Sequence, residues 1–268
     1  VGKRGSDGRL GRRKASHSRA DIERATLRAG LASNCHSRVW GSGDLERHRS
    51  SISIGADTIL IEAAVESLHG ALAAEADGAS RLELCANLGE GGTAPSASLV
   101  AAVLDKTTLP VFAMIRPRGG GFVYSGEEIA EMTTDIAQIK RLGVAGIVTG
   151  ALTPDSRVDV ECTRTLMTAA DGLPVTFHRA FDRAPDLGVA LEQLVQLGVS
   201  RVLTSGGAAT ALAGASTISS LVAQARDRIA ILAGGGVRAH NVRELVALAG
   251  VREVHARQVR GIREALTG

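Results

Sequence analysis

From residue 58 onward the chain alternates between two hydrophobic patterns. Short β-rich runs recur as TILIEAAV (58–65), RLELCA (81–86), PVFAMIRP (110–117), GIVTGAL (146–152), PVTFHRA (174–180), RVLTSGG (201–207), IAILAGGGV (229–237) and EVHARQ (253–258). Between them lie stretches with apolar residues at helical spacing, among them SLHGALAAEADG, SGEEIAEMTTDIAQIKRLG, LGVALEQLVQLG and NVRELVALAG. Several end on glycine, the residue that closes a helix in left-handed backbone, and the next run follows within a few residues. Eight βα units in about 210 residues predict an α/β fold, a (β/α)8 TIM barrel over residues 57–268. A doubly wound open sheet fits less well, because no GxGxxG follows the first strand. The last helix, around Val259–Leu266, is short.

In such a barrel the chemistry sits at the C-terminal strand ends, and side chains alternate between lumen and outer layer. In the third strand Met114, Arg116 and Arg118 share one face, while Ala113 and Ile115 share the other. The apolar face must pack on helices, which directs the arginines into the mouth. By the same parity Glu62, Glu83, His178, Ser205 and His255 point inward, with Arg179 and Asp182 at the rim. Any one of these charges could be a satisfied internal ion pair. Six converging on one end point to a polar ligand, since burying unpaired charge costs several kcal/mol. Glu62, Glu83, His178, Asp182 and His255 are therefore candidate acid–base groups, and Arg116, Arg118 and Arg179 candidate anion-binding groups. The turns TSGG (204–207) and AGGGVR (233–238) add Ser205, Gly206, Gly234, Gly235 and Gly236, whose backbone N–H groups next to a helix start would hold an anion.

Charge changes the picture at one end only. Residues 1–50 hold 12 of the 31 Lys+Arg and 5 of the 28 Asp+Glu, which leaves 19 basic against 23 acidic residues for the rest. The basic character belongs to a segment rich in Arg, Gly and Ser with little apolar periodicity, read as a low-structure extension. A nucleic-acid role is disfavoured, since stacking partners beyond Trp40 are lacking there. Three cysteines (Cys35, Cys85, Cys162) at irregular spacing form no disulfide framework, which implies a reducing compartment. No apolar run is long enough for a membrane span and no signal-peptide pattern appears, so the expected location is the cytoplasm. A homo-oligomer is compatible with all of this.

The segments ASRLELCANLGEGGTAPS (79–96), MIRPRGGGFVYS (114–125), TGALTPDSRVDV (149–160), LPVTFHRAFD (173–182), LTSGG (203–207) and AGGGVR (233–238) resemble the CutC copper-homeostasis family. The resemblance runs from about Ile59 to about Arg257, and MIRPRGG and TFHRAFD are its specific blocks. It implies a cytoplasmic TIM barrel linked to copper tolerance. It also implies copper held by two cysteines, one at the end of each of the first two strands. Here the second is Cys85, the candidate copper ligand, while IEAAV places Ala64 where the first would fall. Cu(I) prefers at least two soft donors, and Met114 is the nearest thioether by sequence. Cys162 lies in a helical stretch and Cys35 in the basic extension.

Two functions therefore stand side by side. One is copper homeostasis through copper ion binding. The other is a lyase- or isomerase-type enzyme that acts by acid–base chemistry on a small anionic or phosphorylated metabolite. A harder divalent ion held by Glu62, Glu83, His178 and His255 is a variant of the second. No lysine lies at a strand end, which disfavours a Schiff-base aldolase.

Overall fold

Each βα unit read from the sequence forms. The computed structural model describes residues 59–267, and the expectations for residues 1–50 lie outside them. In chain order the elements are β1 (Leu60–Val65), α1 (Leu68–Ala76), β2 (Arg81–Leu84), α2 (Ala97–Lys106), β3 (Val111–Met114), α3 (Gly126–Leu142), β4 (Gly146–Thr149) and α4 (Val160–Ala170). They continue with β5 (Val175–Phe177), α5 (Leu187–Gln196), β6 (Arg201–Thr204), α6 (Ala215–Ala225), β7 (Ala230–Gly234), α7 (Val242–Ala249), β8 (Glu253–Ala256) and α8 (Ile262–Thr267). The strands form a closed barrel in sequence order, every pair parallel, with β8 returning to β1 through Leu60↔Glu253 and Glu62↔His255. Among the described residues no helix is long and apolar enough to cross a membrane.

Local chemistry sets the helix starts. Ser67, Ser96, Asp159 and Asp186 each accept a hydrogen bond from the first turn of α1, α2, α4 and α5, and Ser125 with Glu128 makes a reciprocal capping box on α3. Each such cap contributes about 1 kcal/mol. Outward strand residues such as Ile61, Leu82, Leu84, Ala113 and Ile147 pack with the helices into the main core. The inward face is different. It holds a small apolar cluster of Cys85, Phe112, Met114 and Val148, and around it a network of charge.

That network fills the lower barrel. Arg81 donates to Glu62 and, at 2.8 Å, to Glu253, while Arg201 donates to Glu253 and to Thr176 Oγ1. Both guanidinium groups flank the Phe112 ring, at 5.2 and 5.3 Å from its centroid. The ring fits only because β4 begins with Gly146, where a Cβ would stand 2.3 Å from Phe112 Cε1. Glu62 is fully buried and Arg81 is 4% exposed. Two anions and two cations thus compensate one another inside a space that could not hold one of them alone.

Several strands end earlier than the hydrophobic pattern suggests. β5 stops at Phe177 because His178 caps a 3-10 turn over Arg179–Arg183, its Nδ1 accepting from the Ala180 N–H. β6 stops at Thr204 and β7 at Gly234. Cys85 lies one residue past β2. Of the residues nominated for chemistry, Glu62, Glu83, Gly234 and His255 lie within strands, while Arg116, Arg118, His178, Arg179, Asp182, Ser205, Gly206, Gly235 and Gly236 lie in the turns of the mouth.

Replacing Arg81 by Met keeps the packing on Phe112 but removes the guanidinium from Glu62, leaving it only the His255 hydrogen bond. Arg81→Met is expected to lower stability by about 3–5 kcal/mol in urea denaturation. A loss below about 1 kcal/mol would show that the buried network contributes little.

Candidate active site

The C-terminal strand ends enclose a cavity of about 570 Å³. Glu83 and His255 line its floor together with Ala64, Met114 and Leu203. Glu62 lies beneath the floor, outside the lining, and its carboxylate is fully engaged. One oxygen takes Arg81 and the other takes His255 Nδ1 at 3.0 Å. Burial alone would raise the Glu62 pKa, but Arg81 and the His255 hydrogen bond outweigh it and hold the group at about 2. An ionised Glu62 makes His255 Nδ1 a donor, which aims Nε2 at Glu83 Oε1, 3.9 Å away. Glu62 is thus a positioning group rather than a residue that touches ligand, which revises its reading as a catalytic candidate.

Glu83 is the group left over. It is buried, and its Oε2 has no hydrogen-bond partner among the described residues. Burial, and then the nearby Glu62 charge, push its pKa up to about 7 against the pull of His255 and Arg81. The His255 side chain is 13% exposed. Burial works against its charged form, but Glu83 and Glu62 prevail and raise its pKa. Glu83 and His255 therefore shift one another's protonation on the cavity floor, each raised above its ordinary value.

His178 lines the wall. Burial, reinforced by the Arg116 cation, lowers its pKa to about 3, so the ring is neutral. Its Nδ1 accepts from Ala180, which leaves the ring proton on Nε2. That Nε2 has no partner among the described residues. The Phe122 ring packs against His178 at 5.0 Å and against the Arg116 guanidinium at 4.8 Å.

The arginines divide. Arg116 lines the cavity, but its terminal nitrogens donate to the carbonyls of Glu90, Gly92 and Gly120, which pins two loops and leaves Nε without a partner among the described residues. Arg118 does not line the cavity. It pairs with Glu128 and donates to the carbonyls of Gly121 and Val123, tying the glycine-rich loop to the start of α3. Period-two alternation does not reach Arg118 because β3 has ended at Met114. Arg179 does line the cavity, held by Asp182 at 2.8 Å and Ser205 Oγ at 2.7 Å.

The two glycine turns also divide. Ser205 N–H, Gly207 N–H and Thr204 Oγ1 all donate to the Asp182 carboxylate, and Gly206 N–H donates to Thr204 Oγ1. Asp182 is therefore the anion of the β6 turn, saturated with donors, which corrects its reading as an acid–base group. Ser205 and Gly206 are not in the lining, and Gly234 backs the His255 ring, 3.1 Å from a would-be Cβ to the His255 Cβ. Gly235 and Gly236 line the mouth. The helices after these turns start several residues downstream, at Ala215 and Val242, so neither turn is a helix start.

Neither metal set is complete. Ligand atoms of Glu62, Glu83 and His255 lie within 4.8 Å of one another, but both Glu62 oxygens are taken. Glu83 and one His255 nitrogen remain, fewer than the three protein ligands of a catalytic zinc. For copper, Cys85 and Met114 meet at Gly92, with Cys85 Sγ and Met114 Cε 3.5 and 3.3 Å from a would-be Cβ there. Burial, then Glu83 and Glu66, hold the Cys85 thiol well above its ordinary range, and Sγ donates to the Val65 carbonyl. One protonated thiol and one thioether, with Ala64 opposite, do not fit a two-thiolate Cu(I) site.

Arg183, Arg238, Arg257, Glu90 and Phe122 also line the cavity and were not among the sequence candidates. Arg257 shares strand parity with His255, and Arg238 closes the AGGGVR motif; both signals were present. Nothing in the local pattern marks Phe122, which arrives through the fold of the glycine-rich loop.

The sequence profile of the CutC family matches residues 59–260. A family protein CutC of Xylella fastidiosa (strain 9a5c) is 46% identical over 220 residues, covering 82% of this chain and 80% of that protein. The Homo sapiens protein named Copper homeostasis protein cutC homolog is 45% identical over 214 residues, covering 78% of each. The crystal structure of CutC from Streptococcus agalactiae has a TM-score of 0.72 at 36% identity, covering 75% of this chain and 100% of that one.

Glu83 carries a consequence for stability. Between its ordinary value of 4.5 and about 7 the folded state holds a proton that the unfolded chain releases, so stability falls as pH rises through that window. Glu83→Gln removes the linkage. The variant is expected to exceed the parent protein by about 1–3 kcal/mol at pH 8, with the gap closing toward pH 4.5, read from urea midpoints. A gap that does not change with pH would contradict the raised carboxyl.

Proposed function

The chain belongs to the CutC family, and from that premise we propose that its barrel mouth is an acid–base active site for a small anionic carbonyl compound. The observation that carries the reading is the pairing, in one cavity, of a carboxylate poised near neutrality with a neutral histidine donor. Glu83 as base would take a proton from the carbon next to a carbonyl, with His255 receiving or returning it. His178 Nε2–H would hold the oxygen on which negative charge develops, a task that suits a neutral ring better than a charged one. The rim arginines Arg179, Arg183, Arg238 and Arg257 supply the field for an anion. Isomerisation, or carbon–carbon cleavage beside a carbonyl, is the reaction class. Among the described residues no lysine lines the cavity, which favours acid–base over imine chemistry in this reading. Action in the cytoplasm is part of this reading, supported by Cys85 and Cys162 as buried free thiols.

The test is proton exchange in D2O. The parent protein is expected to exchange the α-hydrogen of at least one member of a panel of small carboxylated or phosphorylated hydroxyketones, followed by NMR. The rate should rise with pH through about 7, as Glu83 loses its proton. Glu83→Gln should slow exchange by about 10²-fold or more while still binding the ligand. Silence across the panel, or exchange unaffected in the variant, would sink the proposal.

Copper is the second reading, through the name of the human relative and the meeting of Cys85 with Met114. The missing second thiol argues that this chain binds Cu(I) weakly. Ala64→Cys is expected to raise Cu(I) affinity about tenfold or more in competition with a chromogenic chelator. Equal affinities would return copper to Cys85 alone.

A further inference from the structure

We propose that the turn after β7 is a phosphoryl subsite, so that the ligand of the mouth is a small phosphate monoester. The inference rests on the acid–base reading and specifies its substrate class. Two glycine turns of similar sequence leave neighbouring strands, and they differ in one respect. After β6 the amides of Ser205, Gly206 and Gly207 all have acceptors, chiefly the Asp182 carboxylate. After β7, among the described residues, no acceptor takes the N–H of Gly235, Gly236 or Val237, and all three residues line the cavity. The first turn has an internal anion. The second has donors for one.

The donors are held in place before any ligand arrives. Gly235 and Gly236 have φ of +111° and +74°, backbone that glycine adopts without strain. Asn241 fixes the turn from behind, donating to the Gly236 carbonyl and accepting from the Arg238 N–H, both at 2.9 Å. Arg179 completes the set. Asp182 and Ser205 anchor its Nε and one terminal nitrogen, while Nη1 has no partner among the described residues and lies 3.4 Å from a would-be Cβ on Gly235. Backbone amides without acceptors, beside a guanidinium that is itself braced, suit a phosphate dianion better than a neutral group.

The shared cavity then limits the ligand. Gly234 is in register with His255, and Gly235 and Gly236 follow it in the lining that also holds Glu83, His255 and His178. A phosphate on that turn would leave the carbon chain of a small monoester to face Glu83, His255 and His178. Recognition and chemistry would thus occupy opposite ends of one short molecule.

The test uses the full chain labelled with ¹⁵N and titrated at low ionic strength with inorganic phosphate and with glycerol 3-phosphate. Both should shift the amide signals of Gly235, Gly236 and Val237, the ester binding more tightly. Arg179→Gln should weaken both by about tenfold or more. Because Arg179 also braces the β6 turn, Gly236→Ala is the second variant. Its methyl meets Thr210 Cγ2 at 3.2 Å and disturbs the amides without touching Arg179. Shifts confined to other residues, or unchanged affinity in both variants, would overturn the subsite. Equal affinity for the two probes would assign the turn to free phosphate and overturn the monoester. Phosphate binding at this turn with exchange insensitive to Glu83→Gln would keep the subsite and remove the acid–base reading. Exchange without phosphate binding would do the reverse.

Discussion

Charge compensation inside the barrel is the constraint on which the mouth depends. Glu62, Arg81, Glu253 and Arg201 come from four different strands and close their charges on one another, stacked around Phe112. A solely apolar lumen would fill the space as well, and replacing buried ion pairs by hydrophobic residues is often neutral or stabilising. What an apolar lumen could not do is orient a histidine. Because Arg81 keeps Glu62 ionised, Glu62 holds the Nδ1 proton of His255 and presents Nε2 to Glu83. The ionic layer is therefore the foundation of the floor above it, and Glu83 becomes the carboxyl whose charge the protein does not balance on its own.

The upper layer follows the same logic with backbone in place of side chains. Arg116 holds the β2 and β3 loops by their carbonyls, Arg118 ties the glycine-rich loop to α3, and Asp182 gathers the β6 turn. Charged groups that look like ligand contacts in the sequence are in part the fasteners of loops that would otherwise have no core to pack on. Among the described residues five buried side-chain atoms have no hydrogen-bond partner: Glu83 Oε2, His178 Nε2, Arg116 Nε, Tyr124 OH and Thr163 Oγ1. A buried polar atom without a partner is costly, and three of the five belong to residues that line one cavity, beside the β7-turn amides, which is the physical basis for reading it as a ligand site.

The fold was legible because hydrophobic periodicity reports directly on burial. Parity within strands correctly aimed Glu62, Glu83 and His255 inward, since a one-residue slip would have sent Ile61 and Leu82 into the lumen. It failed where the strand had ended. Arg118 and Ser205 lie in turns, where alternation has no meaning, and their partners are set by loop geometry. Asp182 was misread for another reason: its acceptor role depends on amides more than twenty residues away in sequence, which no local pattern records. The arginines at 183, 238 and 257 were visible as residues, but their convergence belongs to barrel closure.

The Phe112 ring, clamped between two guanidinium groups and seated on Gly146, plugs the lower end of the barrel. Phe112 is 5% exposed, so packed atoms close the space beneath Glu83 and His255. On the reading proposed above, a ligand in the cavity would lie between Glu83 and solvent, and the carboxyl would exchange its proton with water after that ligand departs.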